Sequence, residues 1–254
     1  MSRRNWQREE LLLALNLYCR LPFGQYHNRN PEIIKLAAYL DRTPDAVAMK
    51  LSNFASLDPY HQARGIKGLA NVSQADIAIW QEFNANWNDL AAESEAVYTA
   101  LDIQTNALEP TPAELFIGAT ETIRSTKVRL GQNFFRKVIL TSYGRKCCIC
   151  EMPVSDLLVA SHIVRWSDDE NLRVNPHNGL CLCGIHDKGF DRGYFTIGEK
   201  YEVVISQTLN EYLPNTAISS IFKTYEGLGI HLPDKFIPDQ NFLVHHRNHY
   251  FLGS

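Results

Sequence analysis

Between Cys147 and Asp191 the chain reads C-C-I-C, then S-H-I-V-R-W, then P-H-N-G-L-C-L-C-G-I-H-D-K-G-F-D. Five of the six cysteines fall between 147 and 183, and His162, His177, Asn178, His186 and Asp187 lie among or just beyond them. Such a density of soft and hard donors restricts the fold: either the thiols are buried singly, or the C-x-x-C of Cys147 and Cys150 meets the C-x-x-H of Cys183 and His186. Leu157 to Ile163 has the composition of a buried strand with His162 at its end, Asn178-Gly179 is a turn signal, Leu180 to Cys183 a short return strand, and Ile185 to Arg192 a helix. The order strand, loop, strand, helix follows.

The chain has 254 residues, 45% hydrophobic and 21% charged, enough for two modest soluble domains. No apolar run reaches the ~18 residues of a membrane span. The arginines and leucines at the start could suggest a signal peptide, but Arg8, Glu9 and Glu10 precede the apolar part directly. Leu11, Leu12, Ala14, Leu15 and Tyr18 repeat at helical spacing, so an amphipathic helix and a cytoplasmic location are expected. In that compartment cysteines are thiols or metal ligands, not disulfides. Cys19 stands apart on the first helix as a core residue. The net charge of -3 does not announce a nucleic-acid binder. Locally, however, Arg124, Lys127, Arg129, Arg136, Lys137, Arg145 and Lys146 follow one another with no acid between. This is either a solvated helix face or a patch that grips phosphates, and its position just before the donor-rich segment favours the patch.

The architecture expected is α+β. Residues 1–95 form a helical domain, 96–118 a linker rich in acids and prolines, and 119–254 the domain carrying the donors. Within the first, Pro31 opens a helix to Leu40. Thr43 and Pro44 then cap and open a second, Asp45 to about Phe54. Two short helices joined by a tight turn form either a plain helical hairpin or a helix-turn-helix, whose second helix would offer Lys50, Ser52 and Asn53 to a major groove. A further helix spans Ser73 to Trp87, and Gln132 to Tyr143 is helical up to Gly144.

The motifs A-S-H-I-V-R-W, N-G-L-C-L-C-G-I-H-D-K-G-F-D-R-G and G-Q-N-F-F-R resemble those of the HNH endonuclease family, bacterial restriction-type enzymes with a ββα-metal domain, most specifically over residues 129–197. R-T-P-D-A-V-A-M-K-L-S-N-F resembles the helix-turn-helix segment fused to many of them. The resemblance implies hydrolysis of phosphodiesters in double-stranded DNA with Mg²⁺ or Mn²⁺. His162 would be the general base, Asn178 a metal ligand or loop brace, and His186 or Asp187 the metal ligand at the end of the motif. The chemistry suits these residue types: imidazole deprotonates water near neutral pH, and a cation offsets charge at the scissile phosphate. Lys50, Asn53, Arg129, Arg136, Lys137 and Arg165 are the DNA-binding candidates. Cutting both strands with one site per chain implies a homodimer.

Two departures from the family pattern matter. Many HNH proteins place Asp directly before the base, where it ligates metal; here Ser161 stands there. Counting from Asn178, Cys183 falls on the first zinc cysteine of zinc-containing relatives, His186 on the second, and Asp187 on the final histidine. In one reading His186 joins the catalytic metal. In the other, Cys147, Cys150, Cys183 and His186 hold a structural Zn²⁺, with Cys181 as an alternate, and Asp187 serves the catalytic metal. A third leaves the cysteines simply buried. The rival functions are a zinc-stabilised, DNA-binding regulator inactivated through Ser161, and an RNA-directed nuclease.

Overall fold

The computed structural model describes residues 4–65, 72–105 and 119–253. The fold is α+β, mostly helical with two small antiparallel sheets, and divides into two compact units, Met1–Phe135 and Arg136–Ser254. No helix among the described residues is long and apolar enough to cross a membrane.

The first unit holds α1 (Arg8–Arg20), α2 (Pro31–Tyr39), α3 (Pro44–Leu57), α4 (Pro59–Ala63), α5 (Gln74–Ala85), α6 (Trp87–Thr105) and the start of α7 (Ala119–Ser142). Every residue of α1 from Leu11 to Cys19 is buried, not just one stripe, because α2, α3, α5 and α6 all pack against it. A helix surrounded in this way can carry a polar residue only if its bonds are made inside. Asn16 does so, donating to Ser94 Oγ at 2.6 Å and Glu95 Oε1 at 3.2 Å. Asn30 and Thr43 cap α2 and α3 with Pro31 and Pro44 at their first turns, and Ser73 caps α5 in a reciprocal box with Asp76.

Two expectations meet the structure in this unit. Residues 96–105 of the expected linker are the second half of α6; 106–118 lie outside the described residues. Lys50 and Asn53 do not face solvent. Lys50 is 7% exposed and its Nζ lies 2.6 Å from Asp76 Oδ1, while Asn53 Nδ2 donates to Asp76 Oδ2 at 3.0 Å. A carboxylate fully buried at the N-terminus of α5 needs compensating donors, and these two supply them. The exposed positions of α3 are instead Asp45 and Met49.

In the second unit α7 ends where Gly144 and Arg145 turn left-handed, at φ 60° and 55°, with Arg145 N returning to Leu140 O at 2.7 Å. β1 (Leu158–His162) then pairs antiparallel with β2 (Gly179–Cys183), Leu158 opposite Cys183 and His162 opposite Gly179. α8 (Gly184–Asp191) follows β2 directly, which completes the expected strand, loop, strand, helix. β3 (Phe195–Ile197) and β4 (Val203–Ile205) form the second hairpin, followed by α9 (Gln207–Asn210), α10 (Thr216–Ile221) and α11 (Gln240–His249). Leu158, Leu180, Leu182, Phe190, Phe195 and Leu243 are buried in this unit's core. His246 of α11 stacks on Phe190 with ring centroids 3.7 Å apart. Its Nε2 donates to Phe190 O, so its Nδ1 accepts from Thr196 Oγ1. The C-terminal strand of chain closes on Gly193, whose O accepts from Leu252 N at 3.0 Å.

Candidate metal centre and hydrolytic site

One Sγ from each of Cys147, Cys150 and Cys183 and a nitrogen of His186 all lie within 4.8 Å of one another. The C-x-x-C comes from the turn after α7 and the C-x-x-H from the β2–α8 junction, so the fold joins its two edges here. His186 Nε2 is 2.8 Å from Ile221 O. A carbonyl only accepts, so Nε2 carries the proton and the Nδ1 lone pair is left facing Cys183 Sγ at 3.2 Å and Cys147 Sγ at 3.5 Å. An outer hydrogen bond that fixes the tautomer and aims the lone pair into a group of thiols is what a zinc-ligating histidine requires. Three soft donors, one imidazole and a closed, largely buried setting fit Zn²⁺ of the structural kind. Cys181 lies outside this group, although burial raises its thiol as it does that of Cys150.

Both ring nitrogens of His186 are therefore committed on the cysteine side. The next residue, Asp187, belongs to a different neighbourhood. Its half-buried carboxyl is coupled electrostatically to Ser161 and His162, both of which act to lower its pKa. Burial raises its carboxyl above the usual carboxylate range, against the Ser161 hydrogen bond that lowers it. His162, at the end of β1, has Nε2 2.9 Å from Arg173 O. The carbonyl again fixes the tautomer, leaving the lone pair on Nδ1. Burial holds this imidazole below its usual value, while the Arg173 carbonyl and Asp187 pull it up. A histidine that stays neutral with one basic nitrogen suits proton abstraction near neutral pH. The edge of its ring meets Trp166, with centroids 5.5 Å apart.

Asn178 is 1% exposed and braces the loop that follows His162. Its Oδ1 accepts from Val164 N at 2.7 Å, and its Nδ2 donates to Val164 O at 3.0 Å and Leu172 O at 3.2 Å. With both donor hydrogens and one acceptor position of its oxygen used on backbone, Asn178 makes the hydrogen bonds of the loop brace, one of the two expected roles. Arg173 closes the same loop from the other side, its Nε donating to Trp166 O at 2.9 Å.

The basic candidates separate by partner. Arg136 donates to Leu158 O at 2.8 Å and so serves the edge of β1 more than a phosphate. Arg129 and Lys137 are exposed. Arg165 lies 4.0 Å over the Tyr250 ring, within 3.6 Å of Asp191 Oδ1, and remains 41% exposed at its side chain. Tyr250 in turn donates to Asp168 and accepts from His245. Histidines expected to be of low weight are placed by packing: His246 is buried in the core, and His177 Nδ1 donates to Ile237 O at 2.7 Å.

Sequence reasoning missed three participants. Arg173 acts through its backbone carbonyl, which no residue type reveals. Tyr250 reaches Arg165 from the far end of the chain. Gly193 sits at φ 74°, and a Cβ there would stand 1.9 Å from Tyr250 O; the D-R-G of its motif was the available signal.

Residues 147–198 match the family model described as HNH endonuclease. No curated protein matches the chain. The matched span opens at Cys147 and runs through β1, the braced loop, β2, α8 and β3, so it holds the cysteine-histidine group, His162, Asn178 and Asp187 together. Over residues 147–198 this chain is an HNH endonuclease domain.

Proposed function

We propose that the protein is a metal-dependent, restriction-type endonuclease that hydrolyses phosphodiester bonds in double-stranded DNA in the cytoplasm. The observation carrying this reading is the separation of His186 from Asp187. The Cys₃His group takes the first, and the second joins Ser161 and His162 on the β1 side of α8. A bound Mg²⁺ or Mn²⁺ supplies charge stabilisation at the scissile phosphate and the leaving oxygen. Asp187 is the residue to hold it; Mg²⁺ needs only one or two carboxylates, because waters and phosphate oxygens complete its shell. Nδ1 of His162 accepts a proton from the attacking water while Nε2 stays fixed on Arg173 O. Asn178 keeps the loop, and hence that carbonyl, in place. Arg165, Arg129 and Lys137 are assigned to phosphates. α3 offers neither Lys50 nor Asn53 for base contacts, so the helix-turn-helix-like pair α2–α3 contributes through other residues or through structure alone. Two copies of the chain are needed to cut both strands.

Ser161 favours a second reading, a zinc-stabilised DNA-binding regulator, since the Asp187 carboxylate has a hydroxyl as neighbour in place of a second acid. Incubating purified protein with supercoiled plasmid and Mg²⁺ or Mn²⁺ separates the two. Nicking by wild type and none by His162→Ala supports the nuclease; no nicking by either supports the regulator. Faster cleavage of RNA than of duplex DNA would overturn the DNA assignment.

A further inference from the structure

Cys150 is the one donor of the Cys₃His group that is not fully buried. It opens onto a cavity of about 280 Å³ whose wall includes Glu151, Tyr225, Leu228, Ile230 and His231. Within that wall Glu151 Oε2 and His231 Nε2 lie 3.7 Å apart, both well exposed to solvent. The far wall is pinned: His231 N donates to Cys148 O and Ile230 N to Tyr201 O, each at 2.9 Å, and Gly229 bridges Glu202. Glu151 occupies its place at a cost. It sits at φ 56°, where an L side chain is strained and glycine or asparagine is the ordinary choice. A carboxylate and an imidazole that line the same cavity as the partly exposed Cys150 thus face an open space of about 280 Å³.

We infer that Glu151 and His231 form an entry port through which Zn²⁺ reaches and leaves the Cys₃His group by way of Cys150. This rests on the reading of that group as a zinc site. A carboxylate oxygen and an imidazole nitrogen are both competent zinc donors. Two donors with the remaining positions open to water hold the ion weakly, as a relay must. Lys146, with its Nζ 3.6 Å from Glu151 Oε1, competes for the carboxylate and keeps the port from becoming a resting site. The transfer is a ligand exchange: the Cys150 thiolate bonds to the incoming ion while the bond from Cys150 to the resident ion breaks. The other three ligands then follow, and the resident ion is released to water as its aqua ion. No electrons are transferred, and the thiolates are already deprotonated by the resident metal.

The test uses the zinc-loaded full chain. Wild type, Glu151→Gln/His231→Asn and the control Glu199→Gln are first assayed for zinc content, then exposed to isotopically enriched ⁶⁷Zn²⁺. The isotope ratio of the protein-bound metal is followed by mass spectrometry. The double variant is expected to keep one zinc per chain, with an exchange half-time lengthened about tenfold, the scale on which a charged cleft raises local ion concentration; Glu199→Gln exchanges like wild type. An unchanged half-time overturns the port. So does an equal slowing in Glu199→Gln, which would point to general surface charge, or a loss of zinc from the double variant, which would make these residues resident ligands. Wild type without tightly held zinc overturns the zinc reading itself, and is recognised before any exchange is measured.

Discussion

Removing a metal from the Cys₃His group is expected to unfold the second unit, not merely to inactivate it. The four donors tie the turn after α7 to the end of β2 and the start of α8. Through Nε2 of His186 the tie extends to Ile221 at the end of α10. A structural zinc contributes roughly 10–16 kcal/mol of apparent binding free energy at neutral pH, whereas a domain has only ~5–15 kcal/mol of net stability. What the metal-free group retains, sulfur–nitrogen contacts of 3.2 and 3.5 Å among thiols and imidazole, is worth about 1 kcal/mol each at best. The metal term therefore matches or exceeds the margin. Stripping zinc with a strong chelator, with removal checked by elemental analysis, should abolish amide hydrogen-exchange protection in 158–162, 179–183 and 184–191. Protection in α1 and α3 should persist, because the core of that unit contains no such group among the described residues. Cleavage should return only when both zinc and Mg²⁺ are restored. Full protection of β1, β2 and α8 in protein shown to be free of metal would refute the reasoning, and the cysteines would then be packing residues.

Further outcomes follow from the geometry. His162→Ala should lower cleavage about 10²–10⁴-fold, the usual worth of a general base. Because burial lowers the His162 pKa, the acid limb of wild-type kcat/KM should fall below pH 6.5, and a limb above that value would contradict the environment described. Ser161→Asp adds a carboxylate beside Asp187 and should reduce the Mg²⁺ needed for half-maximal cleavage about tenfold, the equivalent of ~1.4 kcal/mol; an unchanged metal titration would separate Ser161 from the metal. Gly193→Ala puts a Cβ 1.9 Å from Tyr250 O, and should cost about 1–3 kcal/mol in denaturant unfolding while loosening Arg165; wild-type stability would mean the tail yields freely. Burial lowers His246 from 6.5 to about 4, so its contribution is complete above pH 6.5 and is lost as pH falls toward 4, ~3 kcal/mol in all. His246→Gln should flatten that acid slope, and an equally steep slope would assign the loss to other groups.

Local pattern was legible where the local sequence decides the structure. Pro31 gave the start of α2, Thr43 followed by Pro44 that of α3, and Gly144 the end of α7, because a first-turn proline, a cap or a left-handed turn is settled within a few residues. Long-range burial was not legible. The spacing of α1 predicts one apolar face, but nothing in it says that four helices surround it. Lys50 and Asn53 are ordinary surface types on an amphipathic helix until Asp76, some two dozen residues later, is found between them. The acidic, proline-bearing stretch after 95 looked like a linker because composition weighs residues equally, whereas residues 96–105 simply continue the helix that Trp87 opens.

The same limit explains why the sequence left His186 and Asp187 competing for one metal. Both are good donors, both are at plausible distances from Asn178, and consecutive residues cannot be separated by spacing counts. On a helix, however, neighbours point about 100° apart, so α8 cannot turn both toward one ion without distortion. The structure directs His186 to the thiols, with its other nitrogen on Ile221 O, and leaves Asp187 toward Ser161 and His162. On the proposed reading, one peptide bond thus divides a soft-metal brace from the residue assigned to the hard cation. On that reading the brace would act on catalysis without touching substrate. With no second acid at Ser161 to share the work, the position of the Asp187 carboxylate depends on how firmly the first turn of α8 is held, and that turn is anchored by Cys183 and His186.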